Sequence, residues 1–182
     1  MTEARKSSRQ MHTPRRLARV FALLGVYEWI ADPEREDEKN KSINEIIATR
    51  TAGLVELLGE DGAAVEGIDV TPEDFDHCDR ELLDLLYTGV LREHEAVEET
   101  FREFVDRDLK RVSLVERAIL FLGTFELMRC PQTPYRVAIN EAIELAKRFG
   151  SGYRFTNAVL EGVAKKVRPE EFAADHTETA KA

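Results

Sequence analysis

Cysteine is scarce in this chain of 182 residues: Cys78 and Cys130 stand far apart and without metal-ligand spacing. Such usage does not build a disulfide scaffold, and a reducing compartment fits it. No apolar run approaches the length that spans a bilayer, and the first residues are polar and basic with no apolar stretch following. Neither a membrane partner nor a secretory signal is expected, and the cytoplasm is the expected location. Catalytic signatures are missing too. None of His12, His77, His94 and His176 lies beside a cysteine or serine in a nucleophile motif. Adjacent in sequence, His77 and Cys78 fall on different helix faces rather than forming a metal pair. Gly150-Ser-Gly152 lacks the strand and the spacing of a phosphate-cradling loop. The expectation is a protein that is not an enzyme, with no cofactor and no metal.

Basic residues are outnumbered, 26 Lys and Arg against 35 Asp and Glu, for a net charge of -9. That balance argues against a general coat for nucleic acid. The distribution is uneven, however: Arg5, Lys6, Arg9, Arg15, Arg16 and Arg19 face a single acid, Glu3, near the start of the chain. A basic arm on an acidic body attracts phosphates locally while the body repels bulk nucleic acid, which favours a selective, partnered RNA contact. Arg15, Arg16 and Arg19 also fall near the first turn of an expected helix, where each cation opposes the macrodipole by about 0.3 kcal/mol or more. Helix stability therefore does not explain them. A solvated basic face does, and so does an anion-binding one.

Apolar residues recur at three-and-four spacing along the chain, while strand-type alternation does not rise above chance. The predicted fold class is all-α, a single-domain bundle of about seven helices over residues 13–168. Residues 1–12 read as a mobile basic arm and residues 169–182 as a disordered tail. Thr13-Pro14 opens a helix to about Ile30, with Leu17, Phe21, Leu24 and Tyr27 on or near its inward side. A charged linker, Asp32 to Lys41, leads to a second helix, Ile43 to Leu58, and then a loop to Val70. Thr71-Pro72 begins a third helix expected to reach Arg92, with another from Glu93 to Asp108. Ser113 and Glu116 fit a capping box that opens a mostly apolar, central helix ended by Cys130-Pro131.

The most tightly specified stretch runs from Pro134 to Ala164. Tyr135, Ala138, Ile139, Ala142, Ala146 and Phe149 form one stripe, and Phe155, Ala158, Val159, Gly162 and Val163 a second. Thr133 is the expected N-cap of the first helix and Gly150 its stop. Just after the glycine turn, Arg154-Phe155 supplies a cation beside a ring. Arginine forks onto phosphate oxygens, and an exposed ring stacks on an unpaired base. Periodicity also fits Phe155 as a core residue.

PYRVAINEAIELAKRFG followed by YRFTNAVLEGVA resembles the signature end of the NusB family of bacterial transcription antitermination proteins. The upstream VERAILFLGTFEL is similar to the helix that precedes it, and RRLARVFALLGVYEW to the family's first helix. Together these cover roughly residues 14–168. The resemblance implies an all-helical, non-enzymatic protein that binds boxA RNA of ribosomal RNA operon transcripts. It pairs with NusE, a protein of the small ribosomal subunit, within the transcription elongation complex. By the match of motifs, Arg15, Arg16, Arg19, Arg154 and Phe155 are implied RNA contacts, and Tyr27 and Glu116 implied contacts to NusE. Leu17 stands where many members carry a third consecutive cation, and the turn before Tyr153 is shorter than usual. Two alternatives accompany this reading. One is an RNA-binding domain related to those of ribosomal RNA cytosine methyltransferases; the other is a homodimer that masks the RNA surface.

Overall fold

A computed structural model describes residues 13–33, 35, 38, 41–59, 70–149 and 152–179. The expected arm, most of the loop before Val70 and the last three residues of the expected tail lie outside them. Among the described residues there are eight α-helices, a 3-10 turn at Leu109–Arg111, further 3-10 residues at 33, 35 and 38, and no strand. The helices are α1 (Pro14–Ala31), α2 (Ile43–Gly59), α3 (Pro72–His77), α4 (Arg80–Arg102), α5 (Leu114–Arg129), α6 (Tyr135–Arg148), α7 (Tyr153–Val167) and α8 (Pro169–Thr179). Within this helical fold the chain divides into two compact units, Met1–Arg92 and Glu93–Ala182. Their boundary falls at a break inside α4, where Glu93 leaves helical geometry (φ -112°, ψ 18°).

In the first unit, Thr13 caps α1 by accepting a bond from the Arg16 N–H at 3.4 Å. Every residue from Leu17 to Val26 is buried, Arg19 among them, so this stretch of α1 is enclosed on all sides. The expected third helix is interrupted at Cys78-Asp79. Thr71 and Asp74 form a capping box that opens α3, and Asp79 then caps α4 by accepting from the Leu82 N–H at 3.0 Å. Phe75 and Leu82 stand seven residues apart, so helical spacing alone runs through the break and hides that second start.

In the second unit, Ser113 and Glu116 form the expected capping box, and Ala118 through Leu127 of α5 are buried. Helices α6 and α7 pack on α5, and α8 follows directly after Arg168. Two expectations are corrected here. Helix α6 starts at Tyr135 with Pro134 in the cap position, and it has no side-chain cap from Thr133. The Tyr135 N–H instead donates to Glu171 Oε1 of α8 at 2.8 Å. The second correction follows from the first: residues 169–179, expected in a disordered tail, are helical because they carry partners for α6. Arg136 Nε donates to Asp175 Oδ2 at 2.5 Å, and the rings of Tyr135 and Phe172 lie 5.4 Å apart. Arg168 anchors the junction by donating to the carbonyl oxygens of Glu126, Leu127, Cys130 and Thr133, in the last turn of α5 and the turn that follows it.

Candidate nucleic-acid interface

The arginine-bearing start of α1 is fixed within the first unit. The Asp79 N–H donates to the Pro14 carbonyl at 2.9 Å. Further along, the rings of Phe21 and Phe75 meet edge to face at 5.3 Å, and the Arg80 guanidinium covers Phe75 at 3.5 Å. From this base Arg15 is exposed and Arg16 half-buried. Arg19, expected beside them at the surface, is only 5% exposed, and its guanidinium turns back to the Arg15 carbonyl at 3.4 Å. Leu17 is 1% exposed, so the position that breaks the run of cations is a core position. Tyr27 lies on the same helix at 38% exposure.

The second cation and ring stand at the start of α7. Its N-cap residue, Gly152, donates its N–H to Glu116 Oε1 at 3.1 Å, while Glu116 Oε2 accepts from the Ser113 N–H and hydroxyl. Glu116 is thus an internal tie as well as an implied partner contact. The first turn of α7 holds no acid, so its dipole favours an anion there. Arg154 is exposed and Phe155 half-buried. Phe155 is therefore neither sealed in the core nor fully open.

Two neighbours of that pair escaped the sequence reading. Tyr153 is 40% exposed, with the Lys147 ammonium 5.6 Å and the Arg154 guanidinium 5.9 Å from its ring centre. Arg107 lies over the Phe155 ring at 4.5 Å. It comes from the connector after α4, which was expected to be helical to Asp108 but leaves the helix after Arg102. Arg107 also pairs with Asp106 at 2.8 Å; this bond holds the carboxyl below, and the guanidinium above, its ordinary pKa. Tyr153 was legible as a ring between cations, whereas Arg107 could not be placed without the fold.

The sequence profile of the NusB family matches residues 16–165. A protein of Burkholderia lata is 40% identical over 162 residues, which cover 88% of this chain and 94% of that one. One of Bordetella pertussis is 40% identical over 174 residues, covering 94% and 97%. Both are called transcription antitermination protein NusB. The chain belongs to the NusB family. The NusB match takes in Arg16, Arg19, Tyr27, Glu116, Arg154 and Phe155, begins one residue after Arg15, and stops before α8. Among the described residues of this NusB-family chain, no group of side chains has the arrangement of a metal site, and no helix is long and apolar enough to cross a membrane.

Proposed function

We propose that this chain is a non-enzymatic, cytoplasmic antitermination factor that pairs with NusE and binds boxA RNA of ribosomal RNA operon transcripts in the elongation complex. Family membership supports the antitermination role. One observation supports RNA as the ligand most directly: the start of α7 presents exposed Arg154, half-buried Phe155 and exposed Tyr153 with no acid in its first turn.

In this reading the RNA contacts are Arg15 and Arg16 in the first unit and Arg154 and Phe155 in the second. Guanidinium groups meet phosphates, and the ring meets an unpaired base, a contact worth about 1–3 kcal/mol. Arg19 acts from inside α1, as part of the buried support for that turn. Tyr27 offers NusE an exposed aromatic hydroxyl and Glu116 an acidic acceptor.

The test is competition binding of boxA RNA and a scrambled RNA to the chain with NusE. Tighter binding of boxA, weakened by Phe155→Asp or Arg16→Glu, is the expected outcome. Equal affinity for both RNAs would remove the claim of sequence-selective binding.

A further inference from the structure

Residues 103–108 follow one face of α7. Glu103 pairs with Lys166 at 2.5 Å, Phe104 packs against Gly162, and Arg107 covers Phe155. Positions 155, 162 and 166 are seven and then four residues apart, so all three contacts fall on one side of the helix. A Cβ on Gly162 would sit 2.4 Å from Phe104 Cδ1, which shows how closely the connector approaches. Phe104, packed on Gly162, holds the connector to α7 three residues before Arg107, while the exposed Glu103–Lys166 pair adds little.

At 4.5 Å from the ring centre, the guanidinium leaves no room for a base between itself and Phe155. It is also weakly held, because both members of the Asp106–Arg107 pair are well exposed to water. Guanidinium is the side-chain group that both stacks on a ring and forks onto phosphate. We propose that Arg107 is a displaceable cover and a phosphate contact of the RNA site. In the free protein it lies on Phe155; when an unpaired base takes that face of the ring, it moves to the backbone phosphate of the same strand. This inference rests on the reading that Phe155 meets RNA.

The test is a salt titration of boxA RNA binding to the full chain with NusE, comparing the unaltered chain with Arg107→Ala, Arg107→Lys and Phe155→Ala. A 2-aminopurine series in the RNA reports stacking. Arg107→Ala should weaken binding several-fold and flatten the dependence of log K on log salt by about 0.7, the contribution of one phosphate on a single strand. The 2-aminopurine quench should persist. Arg107→Lys should keep the slope, and Phe155→Ala should weaken binding without changing the slope but abolish the quench at one position. If Phe155→Ala weakens binding while Arg107→Ala leaves affinity and slope unchanged, or tightens binding at unchanged slope, the role of Arg107 is overturned alone. If neither substitution has an effect, the reading of Phe155 as an RNA contact falls and takes this inference with it.

Discussion

Glu116 and Gly152 are joined by one hydrogen bond between positions 36 residues apart, and it fixes where α7 begins. The same carboxylate closes the capping box at Ser113, so one side chain sets the starts of two helices. Glu116→Ala should cost about 1 kcal/mol of stability, the usual loss for a cap, and should loosen the turn that carries Arg154 and Phe155. Urea unfolding checks the first effect. Faster amide exchange at Arg154 and Phe155 than elsewhere in α7 checks the second.

Arg168 supports a larger effect. Its guanidinium, nearly enclosed, gives four bonds to backbone carbonyls and a fifth to Glu171 at 3.2 Å. Arg168→Ala removes the side-chain donor from all four carbonyls, of which those of Glu126 and Cys130 keep a backbone N–H, and should lower stability by about 3 kcal/mol. Arg168→Lys keeps the charge but cannot reach all the acceptors, and should fall between. Thermal unfolding of the three proteins gives the order.

Gly162→Ala weighs two opposing effects. Alanine favours a helix interior by about 1 kcal/mol over glycine, but the added Cβ would press on Phe104 at 2.4 to 3.0 Å. Overpacking of this kind costs about 1–3 kcal/mol, so the net expectation is a destabilised protein whose connector shifts and moves Arg107 from Phe155. A crystal structure of the variant measures the shift; a more stable variant with Arg107 unmoved would contradict the argument.

Alkaline pH should weaken the first unit. Burial pushes both the Cys78 thiol and the Tyr87 phenol above their ordinary pKa values of 9.0 and 10.0. Each folded-state pKa is raised, so the stabilisation is complete below the unfolded value and is lost as pH rises, because the unfolded chain ionises first. The thermal midpoint should therefore decline above pH 9, and Tyr87→Phe should flatten the decline above pH 10. In the folded chain, buried Cys78 and Cys130 should resist alkylation at neutral pH.

Helix starts were legible where the stop and start signals are local. Thr13, Thr71 and Ser113 each make the cap that their spacing implies. What escaped was set by distant partners. Polarity makes residues 169–179 look unstructured, yet Glu171 and Asp175 meet groups of Tyr135 and Arg136, 36 and 39 residues away. Phe104 and Val105 continue an apolar helical pattern, but the chain leaves the helix and Phe104 packs on Gly162 instead. At the candidate interface, Arg15 and Arg154 stand exposed as residue type suggests, whereas Tyr27, expected on or near the inward side of its helix, is 38% exposed. Arg19 does not, because the turn beyond Leu17 is buried on every side.

Photocrosslinking of boxA RNA to the chain with NusE, followed by mass spectrometry of the adducts, tests the central claim most directly. The account expects adducts on the peptides carrying Arg15–Arg16 and Tyr153–Phe155, reduced when boxA is scrambled. Adducts confined to other peptides, or equal yields from both RNAs, would contradict it.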